Sequence, residues 1–556
     1  MKLRLPAALE RDFRASAAAW READGTGRLF ARDATLWTGG DEASWLGWLD
    51  APAAARAAAP RWAEISAEAR GFEHALLVGM GGSSLAPEVQ RASLGTEPGH
   101  PRLIVLDSIH PDAVAAAEAA IDPAKTLVVV ASKSGGTLEP SLLMARLLAT
   151  VARAVGEDEA PRRFVAITDP GSALERLATE RGFLRIVHGE PSIGGRFSAL
   201  SPFGLVAAAV QGVPVGRWIA RAEAKAAACR ADDPAHNPGV SLGLLLAAAA
   251  GAGRDKLTLV AHPSIRELGA WLEQLVAEST GKGGVGVLPF DGEPLGPPAV
   301  YGDDRLFVAL RLGGELGPGD GARLDALADA GEPVVELDLG DPLDLAAEFY
   351  RWEIATAVAG ARLGVHPFDQ PDVEAAKIEA RRLADEIERT GALPAERALA
   401  SGDGLSLFAS AGGGGSVDAL LAAHLDRLSA GDYFALLAFV PMSEPTLAAT
   451  ARIRRAVRDR RRVATSVGFG PRYLHSTGQA HKGGPASGVY LVVTDTPAAD
   501  LAVPGQKLTF GQAIAAQARG DAAVLAARGR RVLRVHLDAP AASGLERLAA
   551  KIEAVA

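Results

Sequence analysis

Short apolar runs alternate along the chain with Gly- and Ser-rich loops and with longer segments of helical periodicity. The run HALLV ends near Val78, and a helix is predicted to begin near Pro87, after a glycine turn. Three similar runs follow, RLIVLDS, TLVVVAS and RFVAITDP. Continuous apolar runs without polar alternation are typical of strands buried on both faces of a parallel sheet. The pattern therefore predicts a doubly wound α/β domain over residues 45–210.

The same pattern continues through two further units. KLTLVAHP, RLFVALRL and PVVELDL predict the strands of a second α/β domain over residues 211–393, and DYFALLAFV, GVYLVVTD and RVLRVHLD predict a C-terminal α/β domain over residues 394–556. Residues 1–44 are predicted to form an N-terminal helical segment. The stretch SAGGGGSVD, near residues 410–418, indicates a flexible linker or an exposed loop.

Charge and composition narrow the classes of partner. The 556 residues carry a formal net charge of -9, so there is no broad basic field for nucleic acid. One dense basic run, RIRRAVRDRRR at residues 452–462, has no interleaved aromatic residues, and we interpret it as a solvated helix face.

The single cysteine, Cys229, excludes an internal disulfide and a Cys-rich metal site, and it fits a reducing compartment. The first twenty residues lack a continuous apolar core, so no signal peptide is expected. Charged residues or glycines interrupt the Ala-rich stretches, and no membrane span is predicted. We expect a soluble, cytoplasmic protein.

Two loops between a predicted strand and helix could bind a phosphate. GMGGSS, starting at Gly79, resembles a dinucleotide turn, and Asp107 would suit a ribose contact, but Ser84 stands where that turn needs Gly or Ala. An ordinary tight turn explains this loop equally well. SKSGGTLEP, starting at Ser132, offers three hydroxyls and two glycines at a helix N-terminus, where unsatisfied N–H groups and the helix dipole favour a phosphate. A Ser-rich capping turn is its alternative interpretation.

Three charged side chains next to Gly-rich or Pro-containing turns are candidate catalytic groups. Arg196 follows two glycines and could face an oxyanion or enediolate as a fixed cation, although a surface salt bridge is as plausible. Glu278 ends a predicted helix, where the negative end of the helix dipole favours proton acceptance; a solvated helix end is the alternative. Gln370 and Lys377 are predicted to share one helix face, which usually means a solvated pair.

Five motifs taken in order resemble those of the glucose-6-phosphate isomerase family: GMGGSSLAPE, SKSGGTLE, GGRFS, AESTGKGG and FDQPDVEAAK. They span about residues 70–380 at family-like spacing. The resemblance implies two doubly wound sugar-isomerase (SIS-type) domains, with no cofactor and no metal. The chain looks closest to the isomerase half of fused transaldolase–isomerase proteins, but the short N-terminal segment has no room for a transaldolase barrel.

The resemblance also implies roles for individual residues. Glu278 would be the base that moves a proton between carbons 2 and 1, Arg196 would stabilise the cis-enediolate, and Lys377 would assist ring opening. The implied substrate contacts are Gly82, Ser83, Ser132, Lys133, Ser134, Thr137 and Gln370.

One departure from the family pattern concerns a ring-opening histidine, expected soon after the Glu278 motif within a Leu-His-Ser-x-Gly-Gln segment. The chain has no histidine between His262 and His366, whereas LHSTGQ occurs at residues 474–479. We therefore expect His475 to perform this role from the C-terminal domain, with His481 as the competing candidate and a purely structural loop as the alternative. Two histidines without a further ligand type are a poor zinc signal.

These observations favour an aldose–ketose isomerase that interconverts glucose 6-phosphate and fructose 6-phosphate. The sequence leaves open an additional action on mannose 6-phosphate, and a non-catalytic phosphosugar-binding protein is the alternative from another class. The family is usually dimeric, with the ring-opening histidine donated by the partner subunit. The sequence leaves the oligomeric state open between a homodimer and, if His475 acts within its own chain, a monomer. Neither nucleic acid nor a membrane is an expected partner.

Overall fold

The computed structural model describes residues 1–409 and 414–556. The predicted linker SAGGGGSVD overlaps residues 410–413, which lie outside the described residues. Among the helices of the described residues, none combines the length and the apolar character needed to cross a bilayer.

The first seventy residues precede the first parallel sheet. Their elements are β1 (Lys2–Arg4), α1 (Ala7–Glu22), α2 (Gly25–Phe30), α3 (Ala51–Ala57) and α4 (Ala59–Ala69). The predicted N-terminal helical segment thus contains a strand as well as helices.

The first sheet has strand order β3-β2-β4-β5-β6, and all its strands are parallel. Its elements are β2 (His74–Val78), α5 (Leu85–Leu94), β3 (Arg102–Leu106), α6 (Pro111–Ala119), β4 (Thr126–Ala131), α7 (Leu138–Val155), β5 (Phe164–Thr168), α8 (Ala173–Arg181), β6 (Arg185–His188) and α9 (Pro202–Val210). The strand order reverses between β2 and β4, so the loops after these two strands flank a crevice at the carboxyl edge of the sheet. Such a crevice is where open α/β sheets bind their ligands.

The second sheet has strand order β1-β10-β9-β7-β8. Its remaining strands and the surrounding helices are α10 (Val215–Ala228), α11 (Pro238–Gly251), β7 (Lys256–Ala261), α12 (Leu268–Thr280), β8 (Leu288–Phe290), β9 (Arg305–Leu312), α13 (Asp320–Asp329), β10 (Val334–Leu339), α14 (Leu345–Leu363) and α15 (Val373–Thr390). Strands β7 to β10 are parallel, and β1 from the N-terminus pairs antiparallel with β10 at the edge.

The third sheet has strand order β11-β12-β16-β15-β13-β14, with an antiparallel edge on a parallel centre. Its elements are β11 (Ala400–Gly402), β12 (Leu405–Phe408), α16 (Val417–Leu425), β13 (Tyr433–Phe439), α17 (Glu444–Arg461), β14 (Ala464–Phe469), α18 (Gly478–Gly483), β15 (Gly488–Asp495), α19 (Phe510–Ala527), β16 (Arg531–Leu537) and α20 (Ala541–Val555).

Alternate residues of β2 show how the three units pack together. Leu77 lies in an apolar core shared with the second unit, whereas Leu76 points to the opposite face and lies in a core that contains Leu437 of β13. Burial on both faces explains why this strand is apolar at every position after His74. Both neighbouring units therefore contact the first sheet. The domain boundaries at residues 44, 210 and 393 stay predictions.

Candidate active site

The loop between β4 and α7 contains the predicted phosphate-binding hydroxyls at the crevice of the first sheet. Ser132 is buried, and its Oγ donates a hydrogen bond to Oγ1 of Thr137 over 3.2 Å. Thr137 is the N-cap of α7, yet its hydroxyl does not cap the helix. The backbone N–H groups in the first turn of this eighteen-residue helix therefore receive no capping hydrogen bond from the Thr137 side chain. Such free N–H groups favour the binding of an anion.

Two other predicted phosphate contacts of this loop behave differently from each other. Ser134 is exposed, and its Oγ accepts a hydrogen bond from the backbone N–H of Gly136 over 3.3 Å. The Lys133 ammonium group instead pairs with the carboxylate of Asp169 and donates to the carbonyl of Pro191 over 3.2 Å. Lys133 is thus already neutralised by a carboxylate.

The turn after β2 brings the predicted sugar-binding residues next to Arg196. Gly82 and Ser83 are buried in a single 3₁₀ turn. A Cβ atom on Gly82 would lie 1.8 Å from the carbonyl oxygen of Gly195, so only glycine allows the two loops to approach this closely.

The alternative of a dinucleotide site at this turn fits the structure poorly. Asp107, the residue that would contact a ribose, is buried, and its Oδ2 lies 2.7 Å from Nε of Arg472. The Ser84 hydroxyl donates to the same oxygen over 3.2 Å. An internal ion pair therefore occupies this carboxylate.

Glu278 lies in the last turn of α12, as predicted, and its side chain is buried beside a cation. The residue is 7% exposed, and its Oε2 lies 3.7 Å from Nη1 of Arg196. Gln274, one turn earlier on the same face, donates an N–H to this oxygen over 3.2 Å. A carboxylate held this way next to a guanidinium group can accept a proton while the cation faces the developing oxyanion.

Arg196 is buried and uses its guanidinium fork to fix the segment before α15. Its Nη2 donates to the carbonyls of Pro367 and Asp369 over 2.7 and 2.8 Å, and its Nη1 donates to Oε1 of Gln370 over 2.9 Å. Its Nε donates to Ser279 Oγ over 2.7 Å. Arg196 and Gln370, two of the predicted site residues, are therefore in direct contact.

Lys282 is a site residue that lies within the AESTGKGG motif but had no role predicted from the sequence. It is 6% exposed, and its Nζ donates to the carbonyl of His366 and lies 2.6 Å from Oδ1 of Asp369. Burial, together with the neighbouring charge of Arg196, lowers the pKa of Lys282 to about 7. Two cations thus hold the segment at residues 366–370 that carries Gln370.

The expectation that Gln370 and Lys377 share a helix face was wrong, because α15 begins only at Val373. Gln370 precedes Pro371, and a residue before proline is disfavoured in the helical region of backbone space. The Lys377 side chain is 49% exposed, and its ammonium lies 3.6 Å from a carboxylate oxygen of Glu374 on its own helix. No contact among the described residues joins Lys377 to the groups around Glu278.

His475 is partly buried and contacts a buried carboxylate of the first unit. Its Nε2 donates to Oε1 of Glu139 over 2.9 Å, and Gln517 of α19 donates to the same oxygen over 2.7 Å. Burial acts to raise the pKa of Glu139, but the charge and hydrogen bond of His475 outweigh it and hold this pKa below its usual value. Glu139 lies within the SKSGGTLE motif but had no predicted role, and Gln517 was not predicted at all.

The loop that carries His475 contacts both sugar-isomerase units. Gln274, which donates to Glu278, also donates to the carbonyl of His475 over 2.7 Å. Arg472 pairs with Asp107, as described above. The 470–485 loop therefore reaches the Glu278 cleft within the same chain.

His481, the competing candidate, lies in a buried aromatic cluster. Its Nδ1 shares a 3.1 Å hydrogen bond with the hydroxyl of Tyr433, and its ring stacks on that residue. Burial, with the charges of Lys482 and Arg530, lowers the pKa of His481 to about 3. An imidazole that stays neutral and packs among tyrosines favours a structural role for His481.

One group of potential metal ligands, His110, Asp112 and Asp495, has donor atoms within 4.8 Å of one another. Nδ1 of His110 accepts the backbone N–H of Asp112 over 3.2 Å, and its Nε2 lies 2.9 Å from Oδ1 of Asp495. Both ring nitrogens are thus engaged, which fits a hydrogen bond between the first and third units better than a metal site.

Sequence comparisons relate the chain to proteins of known family. The family model described as Phosphoglucose isomerase matches residues 58–286. A glucose-6-phosphate isomerase of Rubrobacter xylanophilus is 30% identical over 348 residues, which cover 54% of this chain and 80% of that protein. A glucose-6-phosphate isomerase of Symbiobacterium thermophilum is 30% identical over 388 residues, which cover 61% of this chain and 86% of that protein.

Solved structures show the same architecture. A hypothetical protein of Thermus thermophilus has a TM-score of 0.57 at 26% identity, over 68% of this chain and 99% of that one. A glucose-6-phosphate isomerase of Chlamydia trachomatis has a TM-score of 0.56 over 67% of this chain and 86% of that one, and at 20% identity this likeness concerns the fold. The predicted α/β class with parallel sheets is confirmed, and the sequence relatives show that the chain belongs to the phosphoglucose isomerase family.

Proposed function

We propose that the protein is an aldose–ketose isomerase that interconverts glucose 6-phosphate and fructose 6-phosphate through a cis-enediol(ate). The observation that carries the proposal is the buried Glu278 carboxylate, 3.7 Å from the Arg196 guanidinium. Gln274 links this carboxylate to the backbone carbonyl of His475. The relatives that are named glucose-6-phosphate isomerases support the same reaction.

The substrate phosphate binds at the N-terminus of α7. Ser132, Ser134 and Thr137 supply hydroxyl donors, and the helix dipole favours the dianion. Lys133 adds a positive charge nearby, although its carboxylate partner Asp169 reduces this contribution. Gly82 lines the sugar next to the Arg196 loop.

Glu278 removes the proton from carbon 2 and returns it to carbon 1. The negative charge that develops on the neighbouring oxygen is stabilised by the guanidinium of Arg196, which is held in place by four hydrogen bonds before substrate arrives. Gln370, fixed by the same guanidinium, contacts the sugar hydroxyls.

His475 opens the sugar ring. Its Nε2 proton points to Glu139, so Nδ1 is the nitrogen that exchanges a proton with the ring oxygen or the C1 hydroxyl. The charged Glu139 stabilises the imidazolium that forms when His475 takes a proton. An additional contribution of Lys377 to ring opening stays a prediction.

A coupled assay that converts fructose 6-phosphate to glucose 6-phosphate tests the proposal. We expect turnover by the wild type, and no turnover by Glu278→Gln at undiminished binding of a phosphate-bearing inhibitor. Glu273→Gln, on the same helix, is the matched control with expected wild-type activity. Burial, with the charge of Asp291, raises the pKa of Glu273, so a neutral amide is a mild replacement there. An active Glu278→Gln variant would contradict the base assignment.

A monomer of this chain should suffice for catalysis, because Gln274 joins Glu278 to the backbone of His475 within one chain. If light scattering shows that a dimer dissociates on dilution, specific activity should stay constant across that dissociation. A loss of activity in step with dissociation would contradict catalysis within one chain. A cytoplasmic location and the likeness to fused transaldolase–isomerase proteins stay predictions.

A further inference from the structure

Gln479, in α18, is a polar residue of the LHSTGQ segment that the proposed reaction does not use. It is 0% exposed, and its side-chain amide makes three hydrogen bonds to other elements. Its Nε2 donates to the carbonyl of Gly281 over 3.1 Å and to Oδ2 of Asp372 over 2.7 Å. Its Oε1 accepts the backbone N–H of Asp372 over 2.9 Å.

These partners are the ends of two elements that carry site residues. Gly281 is the C-cap of α12, three residues after Glu278. Asp372 is the N-cap of α15, two residues after Gln370. Gln479 itself follows His475 by four residues. One amide thus joins the segments that hold the base, the substrate-binding Gln370 and the ring-opening histidine.

The chemistry at position 479 requires a primary amide of this length. One oxygen must accept an N–H, while one nitrogen must donate both to a carbonyl and to a carboxylate. A carboxyl group at this place would turn a lone pair towards Gly281 and a negative charge towards Asp372. An aliphatic side chain would leave the buried carbonyl and N–H without these partners.

We propose that Gln479 is a positioning residue that sets the distance between Glu278 and Gln370 and aligns both with His475. The inference rests on the proposed isomerase function. Gln479 does not touch the substrate, so its effect passes through the ends of α12 and α15. Small misplacement of catalytic groups costs on the order of 100-fold in rate, so Gln479→Leu is expected to lower kcat about 10- to 100-fold with a smaller change in KM.

The test compares Gln479→Leu with Gln90→Leu in the full-length protein. Gln90 is also 0% exposed, and both polar atoms of its amide lack a hydrogen-bond partner within residues 1–409 and 414–556. Gln90→Leu therefore controls for the replacement of a buried amide by a hydrocarbon, and we expect wild-type kinetics from it. Ring-closed and open-chain substrates should lose similar factors in Gln479→Leu, because the base itself is displaced.

A kinetic isotope effect separates misplacement from partial unfolding. With substrate deuterated at carbon 2, the isotope effect on kcat should rise in Gln479→Leu because proton transfer becomes slower relative to the other steps. A smaller fraction of folded enzyme would lower the rate and leave the isotope effect unchanged, and that result would overturn the inference.

A reversed-polarity pair provides a second test that does not depend on the leucine variant folding. Gln479→Glu alone should be strongly impaired, because its carboxylate faces that of Asp372. Adding Asp372→Asn supplies an amide donor to the new carboxylate. The activity of the double variant should therefore exceed, at least several-fold, the activity calculated by multiplying the effects of the two single variants. Strict additivity would contradict the positioning role.

Absence of wild-type turnover would overturn the proposed function and this inference together, whereas an active wild type with unaffected Gln479 variants would overturn this inference alone.

Discussion

Replacement of Glu139 by glutamine should slow ring opening without slowing the proton transfer at carbon 2. Glu139 is 2% exposed, and its Oε1 lies 2.9 Å from Nε2 of His475. The substitution keeps the shape of the side chain and an acceptor oxygen, but it removes the negative charge that stabilises the imidazolium. Burial of the Glu139 carboxylate strengthens this effect, because water reaches the pair only from the partly exposed side of His475.

The size of the effect follows from this geometry. A hydrogen bond to a charged group contributes about 1.5–3 kcal/mol, roughly twice the value for a neutral pair. Because about 1.4 kcal/mol corresponds to a factor of ten in rate, Glu139→Gln should lower kcat/KM for ring-closed substrate by about 10- to 100-fold. An open-chain substrate analogue bypasses the step and should lose less than about threefold.

The assay measures both substrates with the same enzyme preparations. Glu175→Gln is the matched control, since Glu175 also pairs with a histidine, His188, at 2.6 Å, but this pair is partly exposed and does not include His475. We expect no change in that variant. An equal loss on both substrates, or no loss on either, would refute the role of the Glu139–His475 pair in ring opening.

Three other predictions follow from buried charges. Burial lowers the pKa of Lys282 to about 7, and the protonated side chain binds Asp369, so activity should fall as pH rises through about 7. Lys282→Arg should shift this alkaline fall in the pH–activity profile to higher pH. A profile that does not shift would exclude Lys282 as its origin. Arg196→Lys keeps the charge but cannot form the four-bond fork, so kcat/KM should fall at least about 100-fold, and near-normal kinetics would show that charge alone suffices. Burial raises the pKa of Glu353, so the folded state holds a proton that the unfolded state releases above pH 4.5. Stability is therefore lost as pH rises beyond that value, and Glu353→Gln should raise Tm at pH 8 but not at pH 4; an equal effect at both would refute this linkage.

Much of the parallel core was predictable from local sequence. Strands β2 and β4 are apolar at every position but the first because both of their faces are covered. Strands β8 and β14 were not predicted, since LPF is three residues long and ATSVGF mixes polar and apolar positions. Strand β1 joins the second sheet through a pairing more than 300 residues away, which no local pattern can indicate.

The site was predictable to the extent that its residues follow strand and helix ends. Glu278 and Arg196 come from such motifs, and the structure brings them within 3.7 Å. The contact of Glu139 with His475 joins positions 336 residues apart, so a single sequence holds no direct signal for it. Lys282 was visible in its motif, but only its burial shows that it holds the segment before α15.

The role of Glu278 as the base is tested most directly with glucose 6-phosphate that carries deuterium at carbon 2, with the label followed by NMR. Wild-type enzyme should remove the label from carbon 2 at the rate of isomerisation, and Glu273→Gln should behave like the wild type. Glu278→Gln should leave the label in place while the protein still binds a phosphate-bearing inhibitor. Removal of the label by Glu278→Gln at the wild-type rate would contradict the account.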